Sequence, residues 1–324
     1  MDLNNSFVRI IMKIVSQVEL SNEEIDRLKS VVSGLEVVVA TEEDQELKEI
    51  TDADIFFGRI PQSVFIAGKN LKWVQVFGAG VETQFFPEMV RSDVILASTS
   101  GAYNQTMADQ AFALILGISR GIAMFERKRP KKQWGRTKSL RQLAGQTLGI
   151  IGLGNIGGEI ARRGKAFGMK VIAADIKDME CPAFVDQLCR LDNMDEVLKN
   201  ADYLVIIVPL TDKTRGMIGD AEIRKMKPTA HLINIGRGPL VDEPALINAL
   251  KTGIIAGAGL DVFLNEPLPP ESEFWDMENV VMTPHIGGLS PETRAISFDI
   301  FLDNFKRFIN GEPLRSVIDK QRQF

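Results

Sequence analysis

The chain has 324 residues, which is enough for about two domains of ordinary size. Hydrophobic residues make up 45% and charged residues 25% of the chain, a composition typical of globular proteins and unlike that of disordered chains. The net charge of −5 argues against a general nucleic-acid binder, because such a protein needs excess positive charge to displace counterions.

Neither a membrane span nor a disulfide framework is predicted. The longest apolar run, Ala111–Ile118, is far shorter than the roughly 20 residues that cross a bilayer, and Asp109 and Arg120 flank it. The amino-terminal stretch is interrupted by basic residues and makes a poor secretory signal. Cys181 and Cys189 are the only cysteines. We therefore expect a cytoplasmic protein with neither a membrane nor a nucleic-acid partner.

The amino-terminal third alternates short apolar runs with charged stretches, which predicts a parallel sheet covered by helices. Ser21, with Glu24 three residues later, has the capping-box pattern of a helix start, and the helix is predicted over 21–32. Residues 1–11 are expected to be an extension that adds little to the fold. The predicted strands are Lys13–Ser16, Val37–Ala40, Asp54–Phe57, Trp73–Phe77 and Val94–Ala97.

The next segment predicts one long helix, from about Asn104 to Lys128, which we interpret as a bridge between domains. The basic arm that follows, Glu126–Arg141, holds eight basic residues and one acid. Its charge favours a solvated connection between domains. The alternative is a rim that attracts anions towards a substrate site.

A second α/β series starts at Gln146 and is typical of a doubly wound sheet. The predicted strands are Thr147–Ile151, Lys170–Ala174, Tyr203–Val208, His231–Ile235, Ala256–Val262 and Val280–Thr283. The predicted helices are Ile156–Phe167, Asp195–Lys199, Asp220–Met226, Glu243–Lys251 and a final amphipathic helix, Pro291–Asn310.

A glycine-rich turn, Gly152–Gly157, follows the first strand of this series and opens a helix. Gly152 permits the tight turn, Gly154 lets the backbone approach a pyrophosphate, and Gly157 allows the helix to pack closely on the strand. Asp175 ends the next strand, where a carboxylate accepts the ribose hydroxyls of adenosine and repels a 2′-phosphate. This pattern predicts a dinucleotide site that takes NAD, and nearby Lys177 leaves NADP open.

Three later strands are each followed by a reactive residue type, Arg237, Glu266 and His285 respectively. Open α/β sheets bind their ligands at these strand ends. His285 lies in a loop, and its imidazole is suited to proton transfer near neutral pH. The only other histidine, His231, lies in an apolar strand and is expected to be structural. Taken singly, the three strand-end residues could equally cap carbonyls or form turns, but together they favour an active site.

These segments, in this order, resemble the D-isomer-specific 2-hydroxyacid dehydrogenase family, which includes glyoxylate/hydroxypyruvate reductases and phosphoglycerate dehydrogenases. The resemblance covers nearly the whole chain and is densest from Leu143 to His285. It implies two Rossmann-like or flavodoxin-like α/β domains with the active site in the cleft between them. The substrate-binding domain would be discontinuous, comprising 1–103 and 291–324, and the NAD-binding domain would comprise 104–290.

The resemblance also implies the reaction, which is hydride transfer between a nicotinamide and a small D-2-hydroxy acid or 2-keto acid. His285 would exchange the proton, Glu266 would orient the imidazole, and Arg237 would bind the substrate. The residues implied in substrate binding are Gly78, Ala79, Gly80, Arg237 and His285. Those implied in cofactor binding are Gly152, Gly154, Asn155, Ile156, Gly157, Asp175, Pro209, Thr211, Ile235, Gly236, Arg237, Asp261, His285 and Gly287. A homodimer is expected, because the basic arm around Trp134 lies where the family dimerises, and no metal site is expected.

Two other functions stay open at this stage. The first is an NAD(H)-sensing scaffold that resembles corepressors and turns over slowly, although the long tail of such scaffolds is not visible here. The second is a related dehydrogenase for formate or phosphite, although the extra segments of those enzymes are not visible either. The sequence leaves the particular 2-keto acid, the physiological direction and the strength of the NAD preference undetermined.

Overall fold

The computed structural model describes residues 12–137 and 139–323. Our prediction for residues 1–11 lies outside this part of the chain. The chain divides into two compact units, with boundaries between Ala102 and Tyr103 and between Ser290 and Pro291. The second unit is the segment between these boundaries, and the first unit combines the segments on either side of it.

The described residues form twelve strands, eleven α-helices and five short 3₁₀ helices. The strands are β1 (Lys13–Ser16), β2 (Glu36–Val39), β3 (Ile55–Phe57), β4 (Trp73–Val76), β5 (Ile95–Ser98), β6 (Thr147–Ile151), β7 (Lys170–Asp175), β8 (Gln187–Arg190), β9 (Tyr203–Ile206), β10 (His231–Asn234), β11 (Gly257–Leu260) and β12 (Val280–Met282). The α-helices are α1 (Asn22–Lys29), α2 (Glu43–Glu49), α3 (Gln62–Ala67), α4 (Pro87–Arg91), α5 (Asn104–Ser119), α6 (Ile122–Lys128), α7 (Asn155–Ala166), α8 (Asp195–Asn200), α9 (Asp220–Ile223), α10 (Glu243–Thr252) and α11 (Pro291–Ile309). The 3₁₀ helices are Ile50–Asp52, Glu82–Gln84, Leu191–Asn193, Gly238–Leu240 and Glu273–Asp276.

The first unit contains a parallel sheet with the strand order β2-β1-β3-β4-β5. Strands β1, β3 and β4 are buried along their whole length, as apolar runs in a covered parallel sheet are. Helix α11 packs on this core, where the ring of Phe301 stacks on Phe57 with centroids 4.0 Å apart and lies 5.4 Å from Trp73. The carboxyl-terminal helix is therefore part of the first unit's core.

The predicted capping box at the start of α1 is confirmed. The Ser21 hydroxyl accepts a hydrogen bond from the Glu24 N–H, and the Glu24 carboxylate accepts one from the Ser21 N–H. Two N–H groups without intrahelical acceptors are thus satisfied, so the helix begins where the sequence predicts.

The second unit contains a parallel sheet with the order β12-β11-β10-β9-β6-β7-β8. From β6 the chain winds outward through β7 to β8, and then returns to the other side of β6 at β9. The strand order therefore reverses between β6 and β9, and ligands of doubly wound sheets bind outside the carboxyl ends of strands at such a point. The predicted fold class, two parallel-sheet α/β domains, is confirmed.

The long helix predicted over Asn104–Lys128 is wrong in one respect, because it is broken into α5 and α6. Gly121 separates them with φ +66°, a left-handed conformation that glycine adopts without steric cost. In the part of the chain that the structure describes, no single helix is long and apolar enough to cross a membrane. The pair α5 and α6, bent by 61°, meets the criteria of length and composition only jointly. Helix α5 lies within the second unit, where Ala108, Phe112 and Ile115 are buried.

Two further elements differ from the predictions. Strand β8 was not predicted, because as an edge strand it has exposed or half-buried residues in place of an apolar run. The helix predicted over Asp220–Met226 ends at Ile223 after a single turn, four residues before Lys227, which precedes Pro228. Lys227 precedes proline and is therefore disfavoured in the helical conformation, which prevents the helix from continuing through it.

Candidate active site

The glycine turn links β6 to α7 and is shaped by close backbone contacts. A Cβ on Gly152, which has φ +103°, would lie 2.5 Å from the carbonyl oxygen of Ile207. A Cβ on Gly157 would lie 2.0 Å from the carbonyl oxygen of Gly152. At Gly154, by contrast, no heavy atom lies within 4 Å of an added Cβ. The turn therefore has no room for a side chain at Gly152 and Gly157, whereas the space beside Gly154 is unfilled.

Gly154 is the N-cap of α7, so the first N–H groups of this helix begin beside it. The N–H groups of Asn155, Ile156 and Gly157 belong to the first turn of the helix, where no intrahelical acceptor is available. Together with the helix dipole, they suit the negative charge of a phosphate. The residues present thus fit a pyrophosphate at this turn, as the sequence predicts.

Asp175 ends β7 and is bound to the glycine turn. Its Oδ2 accepts a hydrogen bond of 2.6 Å from the Leu153 N–H, and its Oδ1 accepts one of 2.8 Å from the Lys177 N–H. A carboxylate has about four acceptor positions, so these two bonds leave acceptor capacity for ribose hydroxyls. Asp175 therefore combines a structural contact with spare acceptor capacity at the end of β7.

Four more of the predicted cofactor residues follow β9 and β10, next to the point where the strand order reverses. Pro209 and Thr211 lie in a turn in which the Thr214 hydroxyl donates to the Pro209 carbonyl oxygen at 2.7 Å and accepts from the Thr211 N–H at 2.8 Å. Ile235 and Gly236 come directly after β10. A Cβ on Gly236 would lie 2.8 Å from Cδ1 of Leu240 and 3.3 Å from the carbonyl oxygen of Ile206, so the backbone is tightly confined there.

His285 and Glu266 form a hydrogen-bonded pair. The Nδ1 atom of His285 lies 2.6 Å from Oε2 of Glu266, and Oε1 of Glu266 accepts a hydrogen bond of 2.9 Å from the Phe263 N–H. The carboxylate is thus anchored to the backbone that follows β11. His285 lies in the histidine loop, Thr283–Gly287, and has φ +54°, which is unusual for a residue with a side chain. The imidazole is exposed, with its Nδ1 atom fixed by the carboxylate.

Asp261 follows β11, and its carboxylate holds the histidine loop. Its Oδ1 accepts hydrogen bonds from the Thr283 hydroxyl at 2.5 Å and from the Ile286 N–H at 3.1 Å, and its Oδ2 accepts one from the Gly287 N–H at 2.9 Å. The side-chain amide of Gln110, on α5, donates to Thr283 Oγ1 at 2.6 Å and to Asp261 Oδ1 at 3.3 Å. The residue Asp261 is only 1% exposed, and buried hydrogen bonds of this kind fix a single loop conformation.

This network adds two residues to the predicted site, Gln110 and Thr283. Thr283 begins the histidine loop, at the end of a predicted strand, so its position is visible in the sequence. Gln110 lies in a helix far away along the chain, and nothing in its neighbourhood marks it. Gly287, predicted to contact the cofactor, also packs tightly here, because a Cβ on it would lie 2.8 Å from Asp261 Oδ2 and 3.0 Å from Gln110 Cγ.

Arg237 follows β10 and is half-buried. Its Nη1 atom donates to the Gly236 carbonyl oxygen at 2.7 Å, and its own carbonyl oxygen accepts from Nδ2 of Asn234 at 2.9 Å. A Cβ on Gly238 would lie only 1.9 Å from the carbonyl oxygen of Phe263. The segment after Arg237 therefore packs directly on the backbone that anchors the Glu266 carboxylate, and Glu266 is in turn hydrogen-bonded to His285, so the three predicted catalytic segments are linked.

The predicted substrate residues Gly78, Ala79 and Gly80 follow β4 in the first unit. Gly78 has φ +144°, and its N–H donates to the Thr99 hydroxyl at 3.0 Å. Within the part of the chain that the structure describes, the N–H groups of Ala79 and Gly80 donate to no protein acceptor. Two adjacent donors of this kind suit an anionic oxygen atom.

The other histidine, His231, has a structural environment, as predicted. Its ring stacks on Tyr203 with the centroids 5.4 Å apart, and burial, with a contribution from Arg141, lowers the pKa of the imidazole to about 4. Trp134, in the basic arm, is fully exposed. Among residues 12–137 and 139–323, no group of three or more His, Cys, Asp or Glu side chains could hold a metal ion.

The glycine turn, the helix N-terminus and Asp175 define a dinucleotide-binding domain, and the histidine–carboxylate pair adds the group that proton transfer requires. These features together are typical of a dinucleotide-dependent oxidoreductase. Residues 112–287 match the family model for the NAD-binding domain of D-isomer-specific 2-hydroxyacid dehydrogenases. The chain therefore belongs to the D-isomer-specific 2-hydroxyacid dehydrogenase family, and the resemblance seen in the sequence is confirmed.

Similar proteins agree with this assignment. A glyoxylate reductase of Korarchaeum cryptofilum is 35% identical over 270 residues, which are 81% of this chain and 80% of that protein. A D-3-phosphoglycerate dehydrogenase of Methanocaldococcus jannaschii is 32% identical over 303 residues, which are 92% of this chain but 58% of that protein. The crystal structure of an NADPH-dependent glyoxylate/hydroxypyruvate reductase from Sinorhizobium meliloti, in complex with NADP and sulfate, is 30% identical with a TM-score of 0.83, and the match covers 97% of this chain and all of that one.

These three proteins are named as reductases or dehydrogenases, and the chain is an NAD(P)-dependent oxidoreductase of the same family. The comparisons give no support to the alternative of a cofactor-sensing scaffold with little turnover. The 2-hydroxy acid or 2-keto acid class of substrate is consistent with the family. The individual acid is a separate question, because the sequences have diverged to 35% identity or less in these three matches.

Proposed function

We propose that the protein reduces a small 2-keto acid of the glyoxylate or hydroxypyruvate type to the corresponding D-2-hydroxy acid. The observation that carries this proposal is the pair formed by His285 and Glu266, with a distance of 2.6 Å between Nδ1 and Oε2. It supplies an imidazole with a fixed tautomer beside the strand ends of a dinucleotide-binding sheet. The names of two similar proteins, both glyoxylate reductases, support the substrate class.

In this proposal His285 is the acid for reduction and the base for oxidation. Glu266 accepts a hydrogen bond from Nδ1–H, so the proton that is exchanged with the substrate oxygen resides on Nε2. The carboxylate also compensates the positive charge of the imidazolium ion. The Phe263 N–H fixes the carboxylate and therefore fixes the direction of the ring. General acid catalysis of this kind contributes roughly 10²- to 10⁴-fold to a rate.

Arg237 is proposed to bind the carboxylate and the carbonyl oxygen of the substrate. A guanidinium group presents a planar fork of donors that matches both oxygen atoms, and a lysine cannot reproduce that geometry. Its backbone is held by the side chain of Asn234, and the next residue, Gly238, packs on the loop that contains Glu266. The first unit would contribute the N–H groups of Ala79 and Gly80 to the substrate carboxylate.

The cofactor is proposed to bind with its pyrophosphate at the glycine turn and with its adenosine ribose at Asp175. When bound, the reduced nicotinamide supplies the hydride for the carbonyl carbon. Pro209, Thr211, Ile235 and Gly236 would line its site. Asp175 favours NAD, because a buried carboxylate repels a 2′-phosphate, and Lys177 keeps NADP acceptable. The S. meliloti relative is bound to NADP, and the matching family model describes an NAD-binding domain, so both cofactors are consistent with this proposal.

The remaining expectations concern the assembly and location of the protein. We propose a homodimer in which the basic arm, with the fully exposed Trp134, is covered by the second copy. We further propose that the protein works in the cytoplasm. Light scattering measures the assembly directly, and a monomeric mass would contradict the proposed dimer.

The activity is tested by following NADH and NADPH oxidation with glyoxylate, hydroxypyruvate, pyruvate and bulkier keto acids. We expect fast turnover of at least one small 2-keto acid, with NADH preferred. The variant His285→Ala is expected to lose about 10²-fold or more in kcat while it still binds NADH, because the acid is removed and the cofactor site is kept. Unchanged turnover in this variant, or the absence of turnover by the wild type with every acid, would overturn the proposal.

A further inference from the structure

Arg59 places a guanidinium group against the loop that is proposed to bind the substrate carboxylate. It follows β3, and the loop that contains Gly78 follows the neighbouring strand β4. From the position that a Cβ on Gly78 would take, Nη2 of Arg59 is 2.9 Å away, Cζ is 3.7 Å away and Nε is 4.0 Å away. The guanidinium therefore occupies the space that a side chain at residue 78 would fill.

The backbone of Arg59 is fixed from two neighbouring elements. Its N–H donates to Oε1 of Gln17, the residue directly after β1, at 2.9 Å. The Gln17 amide in turn donates to the carboxylate of Glu46, on α2, at 2.9 Å, and Glu46 is 1% exposed. Gly58 lies so close to Gln17 that a Cβ on it would be 2.5 Å from the Gln17 Cβ. The point from which the arginine side chain extends is thus rigid.

The side chain of Arg59, in contrast, is exposed and its charge is not neutralised by the protein. No carboxylate among the residues that the structure describes forms an ion pair with it. An arginine that is held at its backbone, lies over a glycine and lacks an acidic partner is available for a ligand with anionic oxygen atoms. A carboxylate binds such a group through two parallel hydrogen bonds.

We propose that Arg59 is a specificity residue that binds a second carboxylate on the substrate. This inference rests on the proposed function, in which the N–H groups of Ala79 and Gly80 bind the carboxylate next to the carbonyl group. A substrate with only that carboxylate leaves the Arg59 charge unpaired. Between acids of equal length, the protein therefore prefers a short 2-keto dicarboxylate to the monocarboxylate.

The test compares kcat/KM for acids matched in length, namely oxaloacetate with 2-oxobutanoate and 2-oxoglutarate with 2-oxovalerate, with glyoxylate as the reference. We expect the wild type to prefer the dicarboxylate in at least one pair by about 10-fold or more, mainly through a lower KM. Arg59→Gln is expected to abolish this preference and to change glyoxylate turnover less than about threefold. Arg59→Lys should retain part of the preference, because its charge is kept and its fork of donors is lost.

The matched control is Arg91→Gln, which removes an exposed arginine at the end of α4 in the same unit and is expected to leave both pairs unchanged. An equal loss of activity with mono- and dicarboxylates in Arg59→Gln would indicate a structural role and overturn the inference. So would a wild type without preference in either pair. In both cases glyoxylate turnover would leave the proposed function intact, whereas a wild type that reduces none of these acids overturns both.

Discussion

His285 combines the reactive group with an unusual backbone conformation. Its φ of +54° costs an L-residue roughly 1–2 kcal/mol, and such conformations persist only where the surroundings hold them. The two residues that follow, Ile286 and Gly287, both donate their N–H groups to the Asp261 carboxylate. The same hydrogen bonds that fix the loop therefore also maintain the conformation that directs the imidazole towards Glu266.

At Arg237, removal of the guanidinium is expected to weaken the use of keto acids. One charge-assisted contact contributes about 1.5–3 kcal/mol, which corresponds to a loss of roughly 10- to 150-fold in kcat/KM for Arg237→Ala. Arg237→Lys should recover only part of this loss, because the two parallel hydrogen bonds cannot form. Steady-state kinetics with the best acid of the panel measures the effect. A kcat/KM equal to that of the wild type would exclude Arg237 from the site.

Asp175 is expected to determine the choice of cofactor. Asp175→Ala removes the repulsion of a 2′-phosphate and the acceptor of the Leu153 N–H, so NADH use should fall and the preference for NADH over NADPH should narrow by about 10-fold. The ratio of kcat/KM for the two cofactors is the measurement. The control is Asp178→Ala, which changes an exposed carboxylate three residues later. If both variants keep the wild-type ratio, another residue interacts with the ribose.

The histidine loop depends on an element that is distant in the chain, because Gln110 on α5 donates to both Thr283 and Asp261. Replacement of this amide by an apolar side chain of similar size, Gln110→Leu, removes both bonds and should loosen the loop. We expect kcat to fall by about 10-fold while the Kd for NADH changes much less, since the glycine turn is untouched. Single-turnover kinetics and a fluorescence titration with NADH separate the two effects.

The control for this prediction is Gln142→Leu. Gln142 is also in the second unit, but it is exposed, and its amide donates to the neighbouring Ala144 carbonyl oxygen at 3.4 Å. Its replacement should leave kcat unchanged. A normal kcat in Gln110→Leu would mean that Asp261 fixes the loop without help from α5.

The elements that the sequence predicts well are those with strong local signals. Strands such as β6 and β9 are apolar runs, and α1 begins at a capping box, so local chemistry identifies both kinds of element. Strand β8 has no apolar run because it lies at the sheet edge. At the break before α6, Gly121 has φ +66° and Leu140 packs against it, so that a Cβ would lie 2.8 Å from the leucine Cδ2 atom. That contact joins segments about 20 residues apart and cannot be seen locally.

In the candidate site, too, some features are predictable from the sequence and others are not. Its reactive residues follow strands, and the regularity of the fold brings such positions to one edge of the sheet, so their proximity is predictable from strand order. The contacts that fix these reactive residues in position are not predictable in this way. The contact between Gly238 and Phe263 arises from backbone packing, and the bond between Gln110 and Thr283 spans 173 positions in the chain. A single sequence contains no local pattern for either contact.

For the whole molecule, His231 predicts how stability depends on pH. Its pKa of about 4 in the folded protein lies below the ordinary 6.5, so the unfolded chain binds the proton more readily. The contribution of His231 is therefore fully present above about pH 6.5 and is lost as the pH falls towards 4. In denaturant unfolding, the contribution of His231 to the free energy of unfolding should fall by roughly 2–3 kcal/mol between about pH 7 and pH 4.5.

The comparison variant is His231→Gln, which does not titrate in this range. Its unfolding free energy should change less between the two pH values than that of the wild type. The difference between the two proteins isolates His231, because His285 is present in both. Parallel pH dependences would show that protonation of His231 has no effect on folding.

The two boundaries that divide the chain have a consequence for its synthesis on the ribosome. The second unit is continuous, so all of its strands have been synthesised before the final segment emerges. The core of the first unit is completed only after α11 has been synthesised, because Phe301 of α11 provides the ring that stacks on Phe57. Until that helix emerges, the aromatic side chains of a sheet made much earlier are exposed, and exposed apolar surface favours aggregation. A chaperone is therefore needed most while the amino-terminal segment has emerged from the ribosome and α11 has not.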